Sequence, residues 1–285
     1  MNEHLFPTYT LPASTPTTLC EVLGPEVFDY PFFNQGVSQS SKPSLEQKRQ
    51  VFVDMPESDE TNLLEIKGFV FHTAHCGSTL LGRMLGKLPD VRVVSETEAI
   101  NGLLLARWFY ELPEAEVMAQ LKKIMEAYRP PLKGERYLIF KMTSWNVCFL
   151  PLFQQLYPDV PWLYIDRETD AVVESLLRSG AGFVEWWDHL SDFLRRRFLG
   201  DAHHCPDKES FLRQMVDRHR FYAQQWDNEK SRFVQYPDFI GAFESVVLPH
   251  FQLHFSVAEV ELALEMARFE SKKLEAVPFA RLSKF

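Results

Sequence analysis

A short loop with one glycine and two hydroxyl residues is the first segment that could do chemistry. It consists of five residues, His75, Cys76, Gly77, Ser78 and Thr79. An apolar run precedes it and a helical pattern follows it, which predicts a strand–loop–helix unit. The backbone N–H groups at the start of a helix lack helical partners, and the helix dipole attracts an anion there. The loop is therefore a candidate anion site, although a plain turn in which Ser78 caps the helix fits the same pattern.

The loop differs from the phosphate loop of nucleoside triphosphatases. That pattern, G-x-x-x-x-G-K-[ST], places a lysine directly after its second glycine. In this chain Ser78 follows Gly77 directly, with no lysine. The sequence therefore argues against a magnesium-dependent nucleoside triphosphatase.

A second pair of candidate anion-binding residues follows another apolar run. Arg167 stands just after the run at residues 162–165, and Ser175 lies eight positions further on. Eight residues span about two helical turns plus the segment leading into them. Both side chains can therefore face one anion at the edge of a sheet. The alternative is a surface arginine and an unrelated exposed serine.

The elements that must position these residues alternate between strands and helices from about residue 66. Apolar runs predict strands at 68–73, 91–94, 137–141, 162–165 and 232–236. Helical patterns lie between and after them, at 78–87, 98–110, 114–128, 147–156, 170–178, 183–197 and 209–229. Strands joined by helices form a mostly parallel sheet that binds ligands at the carboxyl ends of its strands. The predicted fold is α/β, with a P-loop-like central parallel sheet flanked by helices on both faces.

The first 65 residues have a different composition. Six prolines lie in the first 50 residues and exclude a long helix, while aromatic residues such as Phe28 and Tyr30 argue against a free tail. We expect residues 1–65 to be an irregular N-terminal arm packed on the core. Residues 66–285 are expected to form the α/β domain.

Composition limits the classes of partner. The chain has 285 residues and a formal net charge of −9, which argues against a general nucleic-acid binder. The four cysteines form no CxxC pair, which is typical of free thiols in a reducing compartment. No signal peptide and no apolar stretch of membrane-spanning length is visible. We therefore expect a cytoplasmic protein without a membrane span.

Taken together, the two anion motifs resemble those of the sulfotransferase superfamily, whose members use 3′-phosphoadenosine-5′-phosphosulfate. The family's 5′-phosphosulfate loop, a basic residue followed by SGTT or a variant, is similar to residues 75–79. Its 3′-phosphate motif, an arginine with a serine eight positions on, is similar to Arg167 and Ser175. The family's basic loop residue is usually lysine or arginine, whereas this chain has His75.

Further segments resemble the protein-tyrosine sulfotransferase branch and its bacterial relatives. A Pro-Asp-Val-Arg stretch begins at Pro89, and Glu96 follows 21 positions after His75. Lys141 ends a predicted core strand, and Tyr236-Pro237-Asp238-Phe239 resembles the branch's Tyr-Glu-Asp-Leu segment. The resemblance covers about residues 66–275.

The resemblance implies roles for these residues. The donor would be held by His75, Cys76, Gly77, Ser78, Thr79, Arg167 and Ser175. A late Ser-Lys pair would also bind it, and we favour Ser271–Lys272 over Ser283–Lys284, after which the chain ends. His75 and Lys141 would stabilise developing charge, and Glu96 would be the general base. Glu98 is the second candidate for the base, and helix capping is the alternative role of Glu96.

The expected reaction moves a sulfuryl group from the donor to a hydroxyl or amine acceptor, leaving adenosine 3′,5′-bisphosphate. No metal is expected, and His203-His204-Cys205 is interpreted as a loop. Two alternatives remain: a P-loop kinase-like phosphotransferase, and a non-catalytic adenosine-bisphosphate-binding module. His75 motivates the second, since a histidine with a pKa of about 6.5 is only partly charged at neutral pH. A set of apolar residues at helical spacing fits core packing or an acceptor pocket: Phe183, Trp186, Trp187, Leu190, Phe193 and Leu194. Neither the acceptor nor the oligomeric state is predicted.

Overall fold

The N-terminal arm contains regular structure. The computed structural model describes residues 4–39, 50–52, 62–189, 192–200 and 205–275. Within the first and second of these ranges, β1 (Leu5–Leu11), β2 (Thr17–Val22) and β3 (Gln50–Phe52) form an antiparallel sheet. A 3-10 helix (Pro25–Asp29) and α1 (Phe33–Gln39) follow β2.

The expectation of an irregular arm was therefore wrong for these residues. Pro7 is accommodated in β1 because β1 is an edge strand, where a missing N–H is tolerated. The pairing of β1 with β2 also shifts between Pro7 and Tyr9. The division of the chain at residue 65 stays a prediction.

A five-stranded parallel sheet forms the centre of the molecule, as predicted. Its strands are β4 (Glu65–His72), β5 (Val91–Ser95), β6 (Tyr137–Lys141), β7 (Trp162–Asp166) and β8 (Ser231–Gln235). The spatial order is β5-β6-β4-β7-β8, and every neighbouring pair is parallel. Lys141 lies opposite Val70, and His72 lies opposite Ile165. The carboxyl ends of the strands therefore lie along one edge.

Helices connect and cover the strands. They are α2 (Ser78–Gly86), α3 (Glu98–Tyr110), α4 (Glu114–Glu126), α5 (Leu150–Leu156), α6 (Thr169–Ser179), α7 (Phe183–His189), α8 (Asp192–Leu199), α9 (Lys208–Gln225), α10 (Leu248–His250) and α11 (Val257–Leu264). A π-helix (Phe243–Val247) and two 3-10 helices (Ser144–Phe149 and Glu265–Arg268) complete the set. The helix predicted over 147–156 begins as the 3-10 helix, and Pro151 lies in the first turn of α5. The single helix predicted over 183–197 is two helices, α7 and α8.

Two apolar cores lie on the two faces of the sheet. Alternate residues of a strand point to opposite faces, and Phe69 and Phe71 of β4 belong to one core while Val70 belongs to the other. The first core includes residues of α3, α4, α5 and α9. The second includes residues of α2 and α11. The helices therefore cover both faces, as the sequence predicted.

The arm packs on the first core. Phe6 and Phe33 are buried there, and their rings lie 6.1 and 5.4 Å from the ring of Tyr128. A Cβ at Gly102 of α3 would lie 1.9 Å from the carbonyl oxygen of Thr10, so glycine permits this close approach. Among the helices that the structure describes, none is long and apolar enough to cross a membrane.

Candidate functional site

A cavity of about 600 Å³ opens at the carboxyl edge of the central sheet. Nine of the residues singled out in the sequence line it: His75, Gly77, Ser78, Thr79, Glu96, Arg167, Ser175, Ser271 and Lys272. Cys76 and Lys141 are buried and do not line the cavity, although Lys141 contacts Glu96, which does. Glu98 is exposed and does not line the cavity. Ser283 and Lys284 lie outside the described residues.

The loop after β4 leaves the first backbone N–H groups of α2 without a side-chain cap, so that they can bind an anion. Gly77, not Ser78, is the N-cap residue, and no side chain caps this helix. The φ angle of Gly77 is 86°, and a Cβ there would lie 2.4 Å from Cδ2 of Tyr236. Glycine is therefore required on both conformational and steric grounds. The helical ladder starts with Leu81 N–H donating to Gly77 O (3.2 Å), so earlier first-turn amides remain outside that ladder.

His75 joins the loop to α6. Its Nδ1 lies 2.9 Å from Oγ of Ser175, and Arg167 donates a hydrogen bond to its carbonyl oxygen at 3.0 Å. Burial, Lys272 and Arg167 lower the pKa of His75 from 6.5 to about 4, against a smaller opposing effect of Glu96. The imidazole is therefore neutral at pH 7. The expectation of a partly charged His75 was wrong for the protein without a bound anion, because burial and two neighbouring cations oppose protonation.

Arg220 of α9 fixes the end of β7. It donates to Oδ2 of Asp166 (2.7 Å), Oγ1 of Thr169 (2.6 Å) and the carbonyl oxygen of Arg167 (2.7 Å). Asp166 also accepts a hydrogen bond from the Thr73 hydroxyl at 2.8 Å. The sequence analysis missed Arg220, since one arginine in a charged helix carries no signal of its own.

The charge of the cavity favours an anionic ligand. Within the described part of the chain, no carboxylate forms an ion pair with Arg167 or Lys272, both of which line the cavity. Arg178, which also lines it, is paired with Glu174. The guanidinium of Arg167 instead lies 5.0 Å from the ring centre of Tyr236. Arg167 and Lys272 form no ion pair within the described residues and are therefore available to an anion, although the carboxylates of Glu96 and Glu270 also line the cavity.

Glu96, which lines the cavity, forms an ion pair with Lys141. The fully buried Lys141 ammonium contacts Oε1 of Glu96, and Glu96 N–H donates to Lys141 O at 2.8 Å. Burial raises the pKa of Glu96, but Lys141 and His72 outweigh it and hold the pKa below its ordinary value. Thr97 is the residue that caps α3, with Oγ1 accepting from Ala99 N–H at 3.2 Å. The capping alternative for Glu96 therefore does not describe this helix.

His72 is a cavity residue that the sequence analysis missed. Its ring nitrogens lie 2.9 Å from the carbonyl oxygens of Thr73 and Met142, and Nε2 lies 3.8 Å from Glu96 Oε1. Burial and Lys141 lower its pKa to about 4, although Glu96 and the carbonyls act in the opposite direction. The sequence offered one indication of this residue, a histidine at the end of an apolar run that predicts a buried strand.

Aromatic side chains form another part of the lining. Phe32 of the arm, Trp145, Phe183 and Trp186 all face the cavity. Phe183 is also buried in the first core, so core packing and pocket lining both describe it. Leu190 lies outside the described residues.

Metal-ligating residues are dispersed. In residues 4–39, 50–52, 62–189, 192–200 and 205–275, no group of three or more His, Cys, Asp or Glu side chains could hold a metal ion. His203 and His204 lie outside these ranges. The thiol of Cys205 donates to Gln214 Oε1 at 3.1 Å.

Solved sulfotransferase structures are similar to this chain. The sulfotransferase from Alicyclobacillus acidocaldarius matches with a TM-score of 0.41 and 15% identity, over 67% of this chain and 82% of that one. The sulfotransferase domain of the Synechococcus PCC 7002 olefin synthase has a TM-score of 0.44 and 14% identity, covering 81% and 87%. The sulfotransferase domain from the curacin biosynthetic pathway has a TM-score of 0.45 and 13% identity, covering 79% and 87%. No protein-family model and no curated protein matches. Similarity at this level assigns no function, which must come from the chain's own residues.

Proposed function

We propose that this protein is a sulfotransferase that uses 3′-phosphoadenosine-5′-phosphosulfate and transfers its sulfuryl group to a hydroxyl or amine acceptor. One observation carries the proposal. A single cavity brings the helix-start loop, the Arg167–Ser175 pair and Lys272 together with a buried Glu96–Lys141 ion pair. A bisphosphate donor needs two anion-binding regions, and transfer to a hydroxyl needs a base near them.

The donor would be held at its two anionic ends. The first-turn amides of α2, with the Ser78 and Thr79 hydroxyls, suit the 5′-phosphosulfate. Arg167 and Ser175 suit the 3′-phosphate, because charge-assisted hydrogen bonds to an anion are the strong ones. Ser271 and Lys272 add a hydroxyl and a cation from the C-terminal segment. The bound donor would supply the sulfuryl group and a stable bisphosphate leaving group.

Glu96 is the proposed general base. Its carboxylate is ionised at neutral pH and can accept the proton of an acceptor hydroxyl; because its pKa is lowered it is a weak base, and its contribution depends on its position. Lys141 orients that carboxylate through the buried contact with Oε1. Lys141 and His75 are proposed to stabilise negative charge that develops during transfer. The protein-tyrosine branch of the family remains a prediction from sequence alone, and the acceptor is not assigned.

A non-catalytic bisphosphate-binding module is the second candidate. It is favoured by His75, which is neutral where relatives of this type carry a permanent cation. Binding alone would then be the function. A measurement of transfer separates the two candidates, since both require the bisphosphate to bind.

Two experiments test the proposal. In a thermal-shift panel, adenosine 3′,5′-bisphosphate should raise the melting temperature and ATP with Mg²⁺ should not; at 100 times its dissociation constant a ligand stabilises by about 2.7 kcal/mol. In a transfer assay with radiolabelled donor, turnover should persist in excess EDTA. If EDTA abolishes turnover and Mg²⁺ restores it, the metal-independent reaction proposed here is contradicted and the kinase-like alternative gains support. Bisphosphate binding without transfer to any acceptor would favour the non-catalytic module.

A further inference from the structure

The N-terminal arm reaches the proposed catalytic pair through one residue, Phe32. This side chain is half-buried, lines the cavity and presents its ring 5.4 Å from the ammonium of Lys141. A cation within about 6 Å of a ring centre is attracted by the electrons of the ring face, and more strongly when water is excluded. Phe32 therefore contacts Lys141 from the side of the cavity.

Lys141 is enclosed on its other sides as well. Its side chain has no solvent exposure, its ammonium contacts Glu96, and its stem packs against α2. A Cβ built at Gly82 of α2 would lie 3.1 Å from Cδ of Lys141, so the helix leaves room for little more than the lysine stem. Phe32 belongs to the arm, whereas Glu96 directly follows strand β5 of the central sheet and Gly82 belongs to α2.

We infer that Phe32 is a positioning residue for the reaction, and that the arm is part of the active site. Its ring holds the Lys141 ammonium against Glu96 and shields the ion pair from water. An ion pair kept dry stays strong and oriented, whereas solvent screens an exposed pair. This inference rests on the proposed function, because the pair matters for turnover only if Glu96 and Lys141 act on the substrate.

Removing the ring should expose Lys141 and slow transfer without weakening the nucleotide site. The Phe32→Ala variant should become acylated at Lys141 by an amine-reactive ester, read by peptide mass spectrometry, whereas the wild-type lysine stays protected. Single-turnover transfer should fall about 30-fold, the rate equivalent of one desolvated cation–π contact. Affinity for adenosine 3′,5′-bisphosphate should be unchanged. The Phe32→Tyr variant, which keeps the ring face, should recover both protection and rate.

The matched control is Tyr9→Ala, which removes an exposed aromatic from strand β1 of the same arm. Lys141 should remain protected in it and transfer should be unchanged. If Lys141 stays protected in Phe32→Ala and transfer is at the wild-type rate, the inference is overturned while the proposed function stands. If the wild-type protein shows no transfer, the proposed function fails first. A rate loss shared equally by Tyr9→Ala would show a general packing role of the arm and would also overturn the inference.

Discussion

The imidazole of His75 is hydrogen-bonded to the hydroxyl of Ser175, with Nδ1 and Oγ 2.9 Å apart. The loop after β4 and helix α6 are therefore joined inside the cavity, although the two residues lie 100 positions apart in the chain. In the proposed function these two residues serve opposite ends of one nucleotide. The hydrogen bond thus places a titratable group between the two anion-binding regions.

Binding of the bisphosphate should therefore take up a proton at His75. In the free protein the pKa of His75 is about 4, and a nearby anion must raise it. At a pH between the pKa of His75 in the free protein and its pKa in the complex, His75 is protonated mainly in the complex. Binding is therefore weakened as pH rises through this range, and the dissociation constant should increase. Titration calorimetry between about pH 5 and 7, in two buffers of different ionisation enthalpy, measures the uptake.

Three variants distinguish proton uptake at His75 from proton uptake by the phosphate groups of the ligand. His75→Gln should lose the uptake that belongs to the protein, and His75→Arg should bind with a flatter pH dependence because its charge is permanent. His254→Gln is the control, since His254 is exposed and lies outside this cavity. Equal proton uptake in wild type and His75→Gln would contradict the prediction.

Replacing Arg167 should weaken the nucleotide site without unfolding the protein. Arg167→Ala removes a cation that no described carboxylate neutralises, so the loss of a charge-assisted contact should cost about 2–3 kcal/mol of binding. Calorimetry should then show a dissociation constant raised about 30- to 150-fold. The matched control is Arg136→Ala, which removes an arginine paired with Asp90 beside the amino end of β6. Wild-type affinity in Arg167→Ala would remove this residue from the site.

Much of this arrangement could be predicted from sequence because it depends on local patterns. The apolar runs predicted all five strands of the central sheet, and the carboxyl-end rule placed residues 75–79 and Arg167 at one edge. Glu96 lines the cavity, but only the family resemblance suggested it. The late Ser271–Lys272 pair also lines the cavity, a position that only the family resemblance suggested. The five strands, the loop at residues 75–79 and the position of Arg167 follow from strand periodicity and from parallel topology.

The residues that were missed act across long sequence separations. Arg220 reaches back from α9 to Asp166, and Phe32 reaches Lys141 from the arm. No periodicity marks such contacts, because they depend on tertiary packing. The neutral state of His75 was also unpredictable, since it follows from burial and from Lys272 nearly 200 positions away. The sheet in the arm was missed because prolines were weighed without knowing that β1 lies at an edge.

Acid should destabilise the protein partly through His219. This histidine is buried, donates from Nδ1 to the carbonyl oxygen of Met215, and packs against Phe183 and Phe198. Burial lowers its pKa from 6.5 to about 4. The folded state thus holds the proton less well than the unfolded state, and stability present above pH 6.5 is lost as pH falls towards about 4.

Urea unfolding should show the loss. Between about pH 7 and pH 5 the wild-type free energy of unfolding should fall by about 1–2 kcal/mol through His219 alone. The His219→Leu variant keeps an apolar side chain among the aromatic neighbours and should lose that part of the pH dependence. His254→Leu, at an exposed histidine, should keep the wild-type profile. An identical fall in wild type and His219→Leu would show that His219 does not contribute.

The role of Glu96 can be tested by a pair of closely matched variants. Glu96→Gln keeps the shape and an oxygen that can accept a hydrogen bond from Lys141, but the amide cannot accept the acceptor's proton. Loss of a general base costs about 10²–10⁴-fold in rate, or about 3–5 kcal/mol in the barrier. Single-turnover transfer should fall by that factor while bisphosphate affinity stays near wild type. Glu98→Gln, two positions away, should transfer normally, because Glu98 is exposed and does not line the cavity.

Two other results would assign the residues differently. Wild-type transfer by Glu96→Gln together with a slow Glu98→Gln would move the base to Glu98. Loss of bisphosphate binding in Glu96→Gln would instead give Glu96 a structural role, because the buried Lys141 would then lack its anionic partner. A melting curve on each variant distinguishes that second result from a catalytic defect. If Glu96 is the general base, Glu96→Gln should melt like the wild type, bind the bisphosphate and fail to transfer. Melting curve, binding affinity and transfer rate must all agree for this role to be accepted.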